Sequence, residues 1–283
     1  MKVNGPGSPF ELFFENPKFA PDKSRGLPNE LKAVYQGDWL IPSDRRYVYS
    51  NFVISRDGKT SFSIPGHEGG GDISGFNRHD QWIMALCRSR ADGVIVGANT
   101  LRSETHHKWT SDFIFPEDKE AFAELRKIEG RSEFPFQIFV TNSGEIDSTA
   151  DVFKDEKLRS IVIVPTKAAD QVRKLELHNC SILEIGSEQV ALGLIAENLQ
   201  KDFGIKDILC EGGPRLYGSM VAEKLIDEEF LTSSPVLVGG SRESLRPGLI
   251  DGVALEPNNQ LAGSLGSVRR CGDMLFLRST FTR

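Results

Sequence analysis

Residues 208–221 read ILCEGGPRLYGSMV, and this stretch decides the fold class. An apolar run, Ile208 to Cys210, precedes an acid, two glycines and Pro214, after which the pattern is typical of a helix. Glycine permits a sharp turn and proline suits the first turn of a helix, so a buried strand is predicted to pass directly into a helix. Open α/β sheets bind ligands at such strand ends, because free amides and the positive end of the helix dipole point outward there.

The alternation of strand and helix extends on both sides of this stretch. Parallel strands are predicted at 47–54, 93–97, 136–140, 161–165, 182–185 and 207–210. Helices are predicted at 76–89 with Ser74 as its cap, 117–129, 168–177, 192–203 and 214–224. Two further strands, 228–238 and 275–281, follow without a helix between them, which indicates an antiparallel edge. We predict an α/β protein with a mostly parallel central sheet, helices on both faces and an antiparallel C-terminal edge.

The N-terminal segment differs from the rest. Residues 1–44 are rich in proline and show little periodicity, with one short helix predicted near 31–35. Their apolar clusters argue against disorder, since each such side chain gains about 1.5–3 kcal/mol when buried. We therefore predict an arm, 1–44, packed on a main domain, 45–283.

Composition limits the classes of function. The chain has 283 residues, 39% hydrophobic and 26% charged, with a formal net charge of −6. That charge disfavours nucleic acid and anionic membranes as partners. No apolar run approaches the roughly 18 residues of a spanning helix. The four cysteines form no CxxC pair and the N-terminus has no signal-peptide pattern, so a cytoplasmic protein is expected.

Three places carry candidate site residues. Gly212 and Gly213 let backbone approach a diphosphate, although a plain tight turn explains them as well. Gly97 ends a buried strand and Thr100 follows it at the same predicted edge, where Thr100 alternatively serves only as a helix cap.

The third place is the strand at 47–54 and the turn after it. Asn51 lies in an apolar strand, where an unsatisfied amide costs about 1–3 kcal/mol, so it needs a partner. Asp57 and Lys59 flank a glycine turn and can relay a proton, or they are merely a turn and a surface lysine. No metal site is predicted, because adjacent histidines such as those at 106–107 point in different directions.

Six short blocks, in this order, resemble the reductase domain of riboflavin biosynthesis enzymes. The blocks are residues 51–59 (NFVISRDGK), 73–74, 88–92, 96–104 (VGANTLRSE), 211–216 (EGGPRL), and 226–228 with 235–240. Together they are far more specific than any one block. The resemblance implies a dihydrofolate-reductase-like fold.

The resemblance also implies an activity: NADPH-dependent conversion of the ribosylamino group of a (di)aminopyrimidine 5′-phosphate to a ribitylamino group. In the family, the cofactor lies across the carboxyl edge of the sheet. The matching cofactor positions here are Gly97, Thr100, Glu104, Glu211, Gly212, Gly213, Pro214, Arg215 and Leu216. Glu211 is expected to brace the turn and not to take part in the chemistry.

On the substrate side, Asp57 and Lys59 are the predicted catalytic groups. The predicted substrate-binding residues are Asn51, Ser74, Arg78 and Arg88. The two arginines are expected at the phosphate, since a guanidinium can bind it bidentately. A small phosphorylated pyrimidine is thus the expected ligand.

Some positions depart from the family pattern. They are Arg56, Asn99, Glu104, Arg215 and the segment THHKW at 105–109. That segment faces the substrate in the family, so two alternatives remain: a reductase of the same fold acting on a pterin or dihydrofolate, and a non-catalytic nucleotide-binding protein. Dimers are usual in the family, and the strands at 228–238 and 275–281 are predicted to pair across a two-fold axis in a homodimer.

Overall fold

The computed structural model describes residues 1–17, 21–241, 243–258 and 260–281. The strands are β1 (Glu11–Glu15), β2 (Ser24–Arg25), β3 (Ile41–Pro42), β4 (Tyr47–Ile54), β5 (Gly93–Gly97), β6 (Phe136–Val140), β7 (Ser160–Val164), β8 (Cys180–Glu184), β9 (Asp207–Gly212), β10 (Glu228–Ser233), β11 (Gly263–Cys271) and β12 (Met274–Phe281). The helices are α1 (Asn29–Tyr35), α2 (Gly71–Ser74), α3 (Arg78–Ser89), α4 (Ala98–Ser103), α5 (Ser111–Ile114), α6 (Lys119–Ile128), α7 (Thr166–Arg173), α8 (Ile195–Phe203) and α9 (Pro214–Ala222).

Within the described ranges, ten strands form one sheet in the order β1-β11-β12-β10-β4-β9-β5-β6-β7-β8. From β10 to β8 every neighbouring pair is parallel. One face packs on α3, α6 and α7 through Trp82, Phe122 and Val172. The other face packs on α8 and α9 through Leu199 and Met220. The predicted mostly parallel sheet with helices on both faces is confirmed.

The antiparallel part of the sheet is larger than predicted. The strand predicted at 228–238 ends at Ser233, just before Pro235. The strand Gly263–Cys271 was not predicted, because its sequence GSLGSVRRC has two glycines and two arginines and no apolar alternation. Arg269 is buried there and donates to the Tyr35 carbonyl oxygen at 2.7 Å. A tertiary contact thus stabilises a strand that its own sequence does not indicate.

The predicted pairing across a two-fold axis is wrong for these two strands. β10 lies between β4 and β12, and β12 lies between β10 and β11, so both strands are inside the sheet. Their backbone groups already bond to neighbours and cannot pair with a second copy. Among the described strands, β1 forms this edge of the sheet.

The helix that carries much of the site begins later than predicted. Asn77, not Ser74, caps α3, and its side-chain oxygen accepts from the amides of His79 and Asp80 at 2.9 and 3.3 Å. Phe76 has a φ of 52°, so the chain turns sharply before the cap. Ser74 instead ends α2, where it is buried.

The N-terminal segment adds a strand to the main sheet and side chains to its core. β1 pairs with β11, and Phe10 packs in the core against Trp82 and Phe276. Leu31 on α1 and Trp39 after it are fully buried. Across the described residues, no helix has the length and apolar character needed to cross a membrane.

Candidate active site

A large cleft lies where parallel strands end. The carboxyl ends of β4, β9 and β5 meet at one edge because these strands are parallel neighbours. The cleft there has a volume of about 1640 Å³. Its wall includes residues 69–72, 97–100, 211–216 and 245–248, together with Ser74. We call it the rim cleft.

The turn between β9 and α9 leaves little room for side chains at its two glycines. Gly212 has a φ of 29°, and a Cβ there would lie 3.0 Å from Cζ of Phe52. A Cβ at Gly213 would lie 3.1 Å from Oγ1 of Thr100. The same hydroxyl accepts a hydrogen bond from the Gly213 amide at 3.2 Å, although the two residues are 113 positions apart. The structure therefore brings the two predicted loops to one rim.

This wall fits a dinucleotide cofactor. The bare backbone of Gly213 leaves a space that a Cβ would partly fill, and the amide end of α9 follows directly. Free amides and the helix dipole favour a phosphate at such a position. All the predicted cofactor positions line the rim cleft: Gly97, Thr100, Glu104, Glu211, Gly212, Gly213, Pro214, Arg215 and Leu216.

Glu211 and Arg88 form a buried ion pair behind this wall. Arg88 Nε lies 2.9 and 3.2 Å from the two carboxylate oxygens of Glu211, and Nη2 lies 2.7 Å from Oε2. The side chains are only 1% and 7% exposed. Such a bidentate pair is short and directional, so it holds the end of β9 against α3. The placement agrees with the expected bracing role of Glu211.

The prediction that Arg88 binds a phosphate is wrong in this geometry. Its Nη1 donates to the carbonyl oxygens of Lys108 and Thr110 at 3.3 and 3.2 Å, and Nη2 also donates to His107 Nε2 at 2.8 Å. Together with the bonds to Glu211, these use all five N–H donors of the guanidinium. No donor is left for a ligand.

The structure also contradicts the predicted phosphate contact of Arg78. Arg78 lies on the same helix but pairs with Glu117 at 2.9 Å and sits over the Phe115 ring. It does not line the rim cleft. The sequence pattern did not reveal this, because Arg78 and Arg88 lie on the same helix but have different surroundings.

His107 links Arg88 to Glu104. Arginine only donates, so His107 Nε2 must be an acceptor and the ring proton lies on Nδ1, which is 3.3 Å from Oε2 of Glu104. Burial, and then the Arg88 charge, hold the pKa of His107 well below its usual value, so the ring stays neutral. Burial raises the pKa of Glu104 despite the Arg88 charge.

His106, unlike His107, contacts Asp151. Its Nδ1 lies 3.1 Å from Asp151. Within the part of the chain that the structure describes, no His, Cys, Asp and Glu side chains are grouped so as to hold a metal ion.

Asp57 does not have the surroundings of a proton donor. Its carboxylate accepts from the amides of Val238 and Gly239 at 3.0 and 2.7 Å and from Ser55 Oγ at 2.7 Å. These bonds, the Val238 amide first, lower the pKa of Asp57 to about 2. This geometry disagrees with the predicted proton relay at Asp57, because the group stays ionised, fastens the loop after β10 and does not line the rim cleft. Lys59 is half-buried beside it, and its role stays a prediction.

A polar floor lies at the bottom of the rim cleft between α3 and the sheet; three of its four residues line the cleft, and the fourth, Thr232, does not line it but bonds to the Asp80 carboxyl. We use this name for Asn51 on β4, Ser74 at the end of α2, Asp80 on α3 and Thr232 on β10, all of them buried. Asn51 and Ser74 were predicted, and both line the cleft. Asp80 was missed, although its spacing to Ile83 and Cys87 places an acid on the buried stripe of α3.

Cations also lie on the cleft wall. Arg215 forms an exposed pair with Asp251 at 3.1 Å. Arg102 donates to Asn99 and to the carbonyl oxygen of Glu145. Arg246, which the sequence analysis did not single out, lies over the Phe62 ring and has a buried Nε without a partner among the described residues.

The chain resembles reductases in sequence. A protein of Archaeoglobus fulgidus named 2,5-diamino-6-ribosylamino-4(3H)-pyrimidinone 5′-phosphate reductase is 26% identical over 74% of this chain and 87% of its own length.

Solved structures share the fold. A pyrimidine reductase-like protein of Corynebacterium diphtheriae has a TM-score of 0.65 at 18% identity, covering 84% of this chain and 92% of its own. A diaminohydroxyphosphoribosylaminopyrimidine deaminase/5-amino-6-(5-phosphoribosylamino)uracil reductase of Thermotoga maritima has a TM-score of 0.58 at 16% identity, covering 89% and 59%. The family model described as RibD C-terminal domain matches residues 46–268. This match spans most of the chain, so the protein belongs to the RibD C-terminal domain family, as the resemblance predicted.

Proposed function

We propose that the protein reduces the ribosylamino group of an aminopyrimidine 5′-phosphate to a ribitylamino group, with NADPH as hydride donor. The contact between Thr100 and Gly213 carries this proposal, because it joins two strand ends into a bare-backbone wall beside a polar floor. The names of the Archaeoglobus and Thermotoga proteins support the same type of reaction.

The cofactor wall binds and orients the dinucleotide. Gly97, Thr100 and residues 212–216 hold it at the carboxyl edge, where α9 offers its amides to the diphosphate. When bound, the cofactor supplies a hydride to the sugar carbon next to nitrogen. Arg102 and Arg215, both on the cleft wall, favour the additional phosphate that distinguishes NADPH from NADH.

The substrate must open before it is reduced. Opening of the ribosylamine gives an imine, whose carbon accepts the hydride while its nitrogen takes up a proton. Glu104 is the proposed holder of that proton, because burial raises its pKa and its side chain lines the cleft. Lys59 is the second proposed proton source. Arg246, with a free Nε, is the proposed ligand of the substrate phosphate.

Arg88 acts as a positioning residue. It holds the Glu211 carboxylate in place, and it holds His107 in the tautomer that faces Glu104. A guanidinium whose five donors all form hydrogen bonds has little freedom to move. Glu211, and Glu104 through His107, therefore keep their positions.

The assignment is tested by following NADPH oxidation with three compounds: the 2,5-diamino-4(3H)-pyrimidinone ribosylamino phosphate, its uracil counterpart, and dihydrofolate. Turnover of either pyrimidine is expected. Turnover of dihydrofolate alone would favour the pterin alternative, and NADPH binding without any turnover would favour a non-catalytic protein.

The Gly213→Val variant tests the cofactor wall. The branched side chain would occupy the space beside Thr100 Oγ1, so NADPH affinity should fall at least about tenfold. Isothermal titration calorimetry measures this. Gly240→Val is the matched control, since Gly240 is exposed and its Cβ would meet only Ser244 O at 3.5 Å. Equal affinities of both variants would contradict the assigned wall.

The Glu104→Gln variant tests the proton source. We expect kcat to fall about 100-fold, since general acid catalysis contributes at least that much. In the native protein, activity should decline as pH rises through the raised pKa of Glu104, because the group then loses its proton. Glu68→Gln changes an exposed acid of the same cleft and should leave kcat unchanged. An unaltered kcat in Glu104→Gln would point to Lys59 instead.

Arg88→Met and Arg78→Met form a matched pair on α3. Removing Arg88 leaves Glu211 buried without its partner, so the free energy of unfolding should fall by about 3–5 kcal/mol. Removing Arg78 breaks an exposed pair and should change it by less than about 1 kcal/mol. Urea denaturation measures both. Similar losses of unfolding free energy in the two variants would contradict the bracing role of Arg88.

A further inference from the structure

Asp80 is a buried acid that the proposed chemistry does not use. It is 3% exposed, lies on the stripe of α3 that faces the sheet, and lines the rim cleft. The hydroxyl groups of Thr232 and Ser74 lie beside its carboxyl, and Glu211 is the charged group that acts on it. The described residues place no cation in an ion pair with Asp80.

This carboxyl needs hydrogen-bond donors when it ionises. Burial raises the pKa of Asp80 to about 6, while the Thr232 and Ser74 hydroxyls lower it by less. When ionised, this carboxyl has no ion-pair partner among the described residues, and a buried charge of this kind is unfavourable without donors. A ligand with adjacent N–H groups would supply them.

Asn51 provides a second, independent indication of a ligand. Its side chain is 6% exposed and lines the same cleft, and its Nδ2 has no hydrogen-bond partner among the described residues. It lies two residues before Val53, which is the register partner of Thr232 on β10. The floor thus offers two acceptor oxygens on Asp80 and an unused donor on Asn51.

This set of groups matches one edge of one pyrimidine. A 2-amino-4(3H)-pyrimidinone presents the 2-amino group, N3–H and the 4-oxo group in a row, which are donor, donor and acceptor. Carboxylate oxygens accept the two N–H bonds, and an amide N–H donates to the oxo group. Uracil presents acceptor, donor and acceptor at this edge, so its 2-oxo group would face a carboxylate oxygen without a proton between them.

We propose that Asp80 and Asn51 form a base-recognition subsite that selects a 2-amino-4(3H)-pyrimidinone over the corresponding uracil. The inference rests on the proposed function and deepens it. It places the protein before any step that hydrolyses the 2-amino group, because the selected substrate still carries that group. Asp80 accepts hydrogen bonds from the 2-amino group and N3–H, and Asn51 donates to the 4-oxo group that both pyrimidines share.

The test compares kcat/KM for the 2,5-diamino-4(3H)-pyrimidinone phosphate and its uracil counterpart. The native protein should prefer the 2-amino substrate about 100-fold, because the uracil leaves buried polar groups opposed. In Asp80→Asn, the amide offers one acceptor and one donor, which match N3–H and the 2-oxo group of uracil. The preference should therefore shift at least about 100-fold toward uracil.

Two further variants distinguish a role of Asp80 and Asn51 in substrate recognition from a role in the stability of the fold. Asn51→Leu should lower kcat/KM for both pyrimidines by the same factor, since both carry the 4-oxo group. Asp72→Asn is the matched control: Asp72 pairs with His67 at 3.0 Å, and the substrate ratio should stay as in the native protein. Removing the charge of Asp80 removes an ionisation that is unfavourable above pH 6, so Asp80→Asn should melt no lower than the native protein at neutral pH.

The outcomes are distinct. A native protein that prefers uracil, or an Asp80→Asn variant that loses both activities equally, would overturn the subsite while leaving the proposed reductase function in place. Turnover of neither pyrimidine would overturn the proposed function. Calorimetric binding of 2-amino-4(3H)-pyrimidinone and uracil to the native protein then still decides the subsite, with equal affinities counting against it.

Discussion

The buried pair between Arg88 and Glu211 is the interaction on which the site depends. Arg88 comes from the last turn of α3 and Glu211 from the end of β9, so the pair ties a helix to the strand that leads into the glycine turn. The remaining donors of Arg88 hold the carbonyl oxygens of Lys108 and Thr110 and the ring of His107. Removing Arg88 would leave Glu211 buried without its partner and release both the end of β9 and the segment 107–110.

Around this pair, the rim cleft contains polar groups that the folded chain does not fully satisfy. Asn51 keeps an unpartnered amide, Arg246 an unpartnered Nε, and Asp80 a carboxyl without a cation. Elsewhere in the described structure, some buried charges are paired, as Arg278 is with Glu228, whereas Arg126 and Ser160 also keep buried polar atoms without a hydrogen-bond partner. The unsatisfied groups of the cleft differ from these in that they line its wall, so they are already oriented when a ligand supplies the missing bonds.

Local patterns were informative where one residue type has few possible roles. Gly212, Gly213 and Pro214 predict a sharp strand-to-helix turn, and the turn lies where expected. Charged side chains were less predictable. Asp57 and Lys59 looked like a proton relay, yet Asp57 binds the amides of Val238 and Gly239, about 180 residues later in the chain.

The sequence by itself determined the alternation of strands and helices in the parallel part of the sheet, the family and the rim at which the glycine and Thr100 loops meet. Apolar periodicity and turn residues encode these features locally, and parallel strands must end on the same side. Only the tertiary structure decided which arginine is buried, that β11 joins the sheet, and that Asp80 lies beside Thr232 and lines the same cleft as Asn51. The reason is physical: whether a charged group serves as a brace, a ligand or a surface residue depends on its burial and its partners. Both are set by segments that lie far from it in the sequence.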